Sequence, residues 1–368
     1  MSLLENILKY SIILFLLWNI QSGFASNNEN EVIKEKPEIN VRESILEHIG
    51  DSYGWYITTI EGNRISIPLP VIVRSKETGW HVFLSSKFDN GQSEYEGFSI
   101  AQEGDYKGKI VEKDAAGKEI RPLDISVTKN AFSLLLNSAL LIGIIMYVSR
   151  WYRKKNQAKN YKAPKGLVGL MELFIMDIND GLVKPCIGKD YKKFAPYLLT
   201  VFFFVFINNI MGLLPVFPGG ANITGNIAIT FVLALITFLI VNISGTKEYW
   251  KEIFWPEVPM WLKAPVPIMP VIEAVGIFTK PFALMIRLFA NILAGHSIVL
   301  GLAFLIFITA KIGPLGPQLN IGMTVVSILL SVFIGFVELL VAYIQAYVFT
   351  MLSAVFIGLA KVEGHHHP

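Results

Sequence analysis

The chain has 368 residues, 53% of them apolar, and a mean hydropathy of +0.50, which excludes an ordinary water-soluble globule and places it in the membrane class. A formal net charge of +3 is too small to indicate a nucleic-acid partner, and the single cysteine, Cys186, excludes an internal disulfide framework and a multi-cysteine metal site. No G-x-x-x-x-G-K-[ST] loop occurs, so nucleotide phosphates are not expected to bind by that route, and neither a cofactor nor a metal is expected.

In chain order, residues 1–26 have the pattern of a secretory signal, with an uncleaved membrane anchor as the alternative. Lys9 precedes an apolar run from Ser11 to Ile20, and Gly23-Phe24-Ala25 supplies small residues where a signal peptidase reads. Residues 27–130 then read as an external region. Asn27–Asn40 is a polar linker. Arg42–Ile49 suits a short amphipathic helix, and Trp55–Ile60, Arg64–Ile67, His81–Leu84 and Ile125–Val127 suit strands. Turns are expected at Gly62-Asn63, Asn90-Gly91 and Ala116-Gly117. His48 and His81 have no ligand cluster around them and read as surface or packing residues.

Residues 131–368 read as a membrane domain. Phe132–Val148 is the first span. Seven cations follow between Arg150 and Lys165 with no acid among them, which marks a cytoplasmic flank. Gly166–Leu182 interleaves Leu, Met and Phe with Glu172, Asp177 and Asp180, the pattern of an amphipathic surface helix. Phe194–Leu214 crosses outward, with Asn208 and Asn209 near its outer end, and Ile227–Ile243 returns. Thr246–Lys263, with its lysines and aromatic residues, suits the cytoplasmic interface.

Two unusually long apolar blocks close the chain, Val266–Ile308 and Ile321–Leu359. A helix of about 40 residues would span about 60 Å, twice the ~30 Å hydrocarbon core, so both must tilt or bend. Pro281 offers a kink point. The first block carries Glu273, Lys280 and Arg287 at sevenfold spacing, with Asn291 joining their face and His296 pointing elsewhere; the second carries Glu338 and Gln345. An ionisable group at mid-membrane costs about 2.5–3.5 kcal/mol on insertion scales, so such a stripe needs a pairing or functional reason. Antiparallel packing brings His296 and Glu338 to one level on the outer side with Asn209, and leaves Glu273 inward of Arg287. His296 and Glu338 are proton-capable, whereas arginine stays charged in essentially any site. No carboxylate of this chain is expected beside Arg287, so that group should come from a partner.

The run from Met285 to His296, MIRLFANILAGH, resembles the signature of the subunit a family of rotary ATP synthases. Asn209 followed by Met211-Gly212-Leu213-Leu214-Pro215, and Glu338 to Gln345 followed by Ala346-Tyr347-Val348-Phe349, match the same family in order and spacing over about residues 130–362. The resemblance implies an all-α polytopic membrane protein with five membrane-embedded helices, two of them long and tilted, plus an amphipathic surface helix. A small strand-containing external region precedes them. It also implies a non-enzymatic, proton-translocating subunit of the bacterial inner membrane, with its N-terminal region periplasmic and its C-terminus cytoplasmic. By the same resemblance, Arg287 faces a Glu or Asp of the c-subunit ring, with Asn291 and Gln345 as its neighbours. Asn209, His296 and Glu338 belong to an outer half-channel, and Glu273 and Lys280 lie toward the inner one. The implied partners are the c ring, the subunit b stator, the remaining ATP synthase subunits and the lipid bilayer, with no nucleic acid. Many bacterial members have Glu where this chain has His296 and His where it has Glu338, so the pair is preserved but exchanged. Two other readings compete. A secondary transporter should show a repeat relating its halves, and none is found. A structural scaffold with a buried ion pair should tolerate Arg287→Lys.

Overall fold

The computed structural model describes residues 50–60, 63–91, 93–114, 117–157, 163–214, 219–255, 268–311 and 317–361. The signal segment, the linker and the Arg42–Ile49 helix lie outside the described residues.

The first described region is built from eight short strands. β1 (Gly54–Ile60) and β2 (Asn63–Pro68) form an antiparallel hairpin with an irregularity between Tyr56 and Thr58. β3 (Pro70–Ser75) sits between β4 (Gly79–Leu84) and the two-residue β8 (Leu123–Asp124). β5 (Phe98–Ile100), β6 (Ile110–Lys113) and β7 (Glu119–Ile120) form a third small sheet. Alternation along β3 buries Val71 and Val73 completely, and they meet Tyr53, Phe88, Phe98 and Ile110 in a small core. His81 is a packing residue. Its Nδ1 lies 2.6 Å from Glu96 Oε2, and its ring stands edge-on to Phe98.

Five helices are long and apolar enough to cross a membrane. α1 (Lys129–Gln157) is the first, and the strand region caps it. Asp51 Oδ1 accepts the Asn130 N–H at 3.0 Å, and the Ser52 carbonyl accepts the Lys129 N–H at 2.8 Å. The amphipathic stretch is helical as α2 (Leu167–Met176), continues as a π-helical turn (Asp177–Val183), and passes through α3 (Lys184–Ile187) into α4 (Tyr191–Leu213). α5 (Ile227–Ser244) starts on an Asn226 cap and α6 (Lys247–Phe254) on a Thr246 cap. α7 (Ile268–Lys311) and α8 (Pro317–Ala360) each have 44 residues. α7 runs through Pro281, the expected kink point, as one continuous helix. Membrane helices tolerate an internal proline where neighbouring helices and side chains satisfy the freed backbone groups.

α8 packs on both α4 and α7, and α7 on α5. Phe174, Phe202, Phe206 and Tyr343 join α2, α4 and α8 in one aromatic cluster, and Tyr343 Oη donates to Asp177 Oδ2 at 3.2 Å. Trp55 of the first hairpin packs with Ala221 and Ile223 of the α4–α5 connection and meets Phe132 of α1 edge-on. The strand region therefore sits against the end of the bundle where α4 finishes and α5 begins.

Candidate functional site

The polar residues of α4, α7 and α8 separate into two clusters with Arg287 between them. The first is at the Asn209 end. Asn208 and Asn209 are both 2% exposed, yet they do different work. Asn208 is structural: its Oδ1 accepts from Asn137 Nδ2 at 3.0 Å and its own Nδ2 donates to the Phe204 carbonyl, tying α1 to α4. Asn209 points the other way. Its Nδ2 donates to the Ala342 carbonyl of α8 at 3.2 Å, and its Oδ1 accepts from Thr224 Oγ1 at 2.6 Å. Thr224 comes from the connection after α4, which folds back over the helix ends and buries Asn222 and Thr224.

His296 and Glu338 arrive at the same place. A Cβ built at Gly212, one turn beyond Asn209, would lie 3.4 Å from His296 Nε2 and 3.5 Å from the Ala221 carbonyl. A Cβ built at Gly295 would lie 2.7 Å from Glu338 Oε1. Both side chains are half-buried, and Oε1 of Glu338 is enclosed without a hydrogen-bond donor among the described residues. An enclosed carboxylate oxygen with no donor is costly unless it is protonated or hydrated.

The second cluster lies toward the other end of α7. Lys280 is exposed, with Nζ 5.9 Å over the Phe356 ring of α8. It lines a narrow, mostly apolar cleft with Thr237, Asn242, Tyr249 and Phe356. Oδ1 of Asn242 is buried there without a donor among the described residues. Glu273, half-buried, lies near Tyr249. Burial, and then the charge of Glu273, push the Tyr249 hydroxyl above its ordinary value and keep it a donor.

Arg287 stands between the clusters. It lies nine residues before His296, about 14 Å along a helix axis. α7 buries Leu284, Met285 and Leu288 and turns Arg287, Asn291, Ala283, Ala290 and Ala294 to the exposed side. Among the described residues Arg287 makes no hydrogen bond, ion pair or ring contact. The Gly295–Glu338 and Lys280–Phe356 approaches set an antiparallel register for α7 and α8. Gln345, 7% exposed, is seven residues past Glu338, and Arg287 is eight before Gly295, so the two share a level without a direct hydrogen bond.

Thr224, Asn242 and Tyr249 carry polar atoms into these clusters but do not stand out in the sequence. Each is an ordinary polar residue near a helix end, and only the fold brings Thr224 to Asn209 and Asn242 and Tyr249 to the cleft beside Lys280.

Residues 134–358, more than half of the chain, match the ATP synthase A chain family, and residues 44–129 match a domain of unknown function (DUF8433). ATP synthase subunit a 2 of Chlorobaculum tepidum is 42% identical over 258 residues, covering 68% of this chain and 67% of that protein. ATP synthase subunit a of Chloroherpeton thalassium is 39% identical over 258 residues, 67% of this chain and 70% of that protein. The Myxococcus xanthus subunit a is 39% identical over 252 residues, 67% and 76% of the two chains. With five helices able to cross a membrane and matches of this extent, this is a multi-pass membrane protein, and the chain belongs to the ATP synthase A chain family.

Proposed function

We propose that the chain moves protons across the bacterial inner membrane along two offset half-routes, with Arg287 as the gate between them facing a carboxylate on a ring of c subunits. The observation that carries this reading is the order of groups along α7. A proton-capable pair sits at the Asn209 end, a cleft that Lys280, Thr237, Asn242 and Tyr249 help to line lies at the other, and an exposed guanidinium without a partner among the described residues lies between.

The chemistry follows from what each group can do. A proton enters from the periplasmic side past Asn209, His296 and Glu338 and neutralises a ring carboxylate. The neutral site can then move into lipid, where an ionised one would be expensive. After nearly a full turn the proton leaves toward Glu273, with Lys280 and the cleft around Asn242 along the inner route. Arg287 cannot titrate, so it attracts the ionised ring carboxylate, aided by Asn291 and Gln345, and blocks direct passage. Each charge crossing 100 mV supplies about 2.3 kcal/mol, which drives rotation. The small side chains Ala283, Ala290 and Ala294 beside Arg287 suit close approach of a partner helix. A subunit b stator holds the chain against the turning ring. In this arrangement residues 27–130 are periplasmic and the C-terminus cytoplasmic, and the chain couples ion flow to ATP synthesis without binding nucleotide itself.

The test is ATP-driven acidification of inverted membrane vesicles, comparing the native chain with Arg287→Ala in a complex shown to be assembled. Loss of pumping with assembly intact is the expected result. Unchanged pumping would remove Arg287 from the gate.

A further inference from the structure

The sheet β4–β3–β8 has one side in the small core and another with no cover among the described residues. Antiparallel partners point to the same side of a sheet. Arg74 pairs with Trp80 and with Leu123, and these three form the row farthest from α1. Ile72 pairs with Val82, and its carbonyl accepts the Ile125 N–H at 2.9 Å, which gives the middle row. Pro70 pairs with Leu84, and its carbonyl accepts the Val127 N–H at 3.0 Å, which gives the near row. Arg74 is the one charged residue in the three rows. Val82 is 70% exposed, Ile125 56%, Leu123 55% and Trp80 54%. On the reverse side Val71 and Val73 are fully buried, so this exposure is not a consequence of loose packing.

The position of the face identifies what covers it. Val127, in the near row, precedes the first spanning helix by two residues, about 7 Å of extended chain. The far row stands about 13 Å beyond, four residues along the strands. The face is therefore apolar where the chain enters the membrane and ends in Trp80, with the Arg74 guanidinium 5.6 Å over its ring. An apolar band bounded on its outer edge by tryptophan and arginine follows the polarity gradient of a bilayer interface. A protein-binding patch instead carries a polar rim on all sides. We propose that this sheet face docks on the leaflet from which α1 emerges, with Val82, Leu84 and Ile125 in the headgroup–acyl boundary and the Trp80–Arg74 pair at the phosphate level.

The experiment uses the assembled complex in lipid nanodiscs, in a Cys186→Ser background, with the complex lacking an added cysteine as the blank. An environment-sensitive fluorophore is placed at Val82→Cys, at Leu123→Cys as a second site on the face, and at Lys76→Cys on the exposed β3–β4 turn. We expect headgroup-nitroxide lipids to quench the first two several-fold more than the third, and aqueous iodide to quench them several-fold less. Equal iodide quenching at all three sites would overturn the proposal. Protection of positions 82 and 123 from both quenchers would also overturn it, by assigning the face to another protein.

Discussion

Gly295 of α7 and Glu338 of α8 approach so closely that a side chain at 295 and the carboxylate cannot both keep their places: a Cβ there would lie 2.7 Å from Oε1. The obstructed atom is the end of a flexible side chain rather than backbone, so Gly295→Ala should displace the carboxylate and leave α7 intact. Glycine to alanine inside a helix is itself favourable by about 1 kcal/mol. A misplacement of about 1 Å at a reacting group costs about a hundredfold. Gly295→Ala should therefore assemble normally, with unchanged or slightly raised thermal stability, while ATP-driven pumping falls by about ten- to hundredfold. Normal pumping with normal assembly would mean that the position of Glu338 does not matter.

The exchanged pair gives a second expectation. His296 and Glu338 enter one cluster from opposite helices, beside Gly212 and Gly295. If the work needs one imidazole and one carboxylate there in either order, His296→Glu and Glu338→His should each reduce passive proton conduction by the stripped membrane sector. The double variant should recover most of it. Two carboxylates in one site raise each other's proton affinity, and two imidazoles lower theirs, so each single variant fails for a different electrostatic reason. A double variant no better than its parents would show that the helices are not interchangeable.

Thr224 should matter through Asn209. Its hydroxyl donates to Asn209 Oδ1 at 2.6 Å in a buried site, and Asn209 in turn reaches the Ala342 carbonyl. Thr224→Val keeps the shape and removes the donor, leaving an amide oxygen short of a partner at a cost of about 1–3 kcal/mol. Conduction should fall several-fold, and Thr224→Ser should restore it. If Thr224→Val conducts normally and Thr224→Ser does not, the methyl rather than the hydroxyl is what counts.

The long helices and their polar stripe were legible because both signals are local: an apolar run longer than the bilayer, and charges that such a run cannot carry without a reason. α7 and α8 begin and end within four residues of the expected blocks. The strand region was legible only where apolar residues alternate. β1, β2 and β4 fall on expected strands, whereas β3 does not; it opens on Pro70, and a proline is tolerated at the first residue of a strand. The expected strand at Ile125–Val127 is displaced to Leu123–Asp124. The residues beyond it still hydrogen-bond to β3 through Ile125 and Val127, so the extended conformation was right and its bounds were not. In the candidate site, ionisable residues announced themselves by their cost in lipid. Thr224 and Asn242 did not, because their significance lies in contacts across elements that no local pattern encodes.

Tyr53 supplies an expectation for the strand region alone. Its hydroxyl donates to Asp124 Oδ2 at 2.5 Å, joining the chain before β1 to β8, and its ring is in the small core. Burial, and then the bond to Asp124, push its ionisation well above the ordinary value of about 10. Because the folded pKa is raised, the neutral phenol's contribution is fully present below about pH 10. It is lost as pH rises from there through the folded value. Tyr53→Phe removes a hydrogen bond to a charged group, worth about 1.5–3 kcal/mol, and with it this alkaline dependence. Pulse proteolysis of the strand region in the intact complex should therefore show a more readily cleaved Tyr53→Phe variant at pH 8. The difference from the native chain should shrink as the pH is taken above 10. A difference that stays constant between pH 8 and 11 would show that the hydroxyl does not stabilise the region through its protonated form.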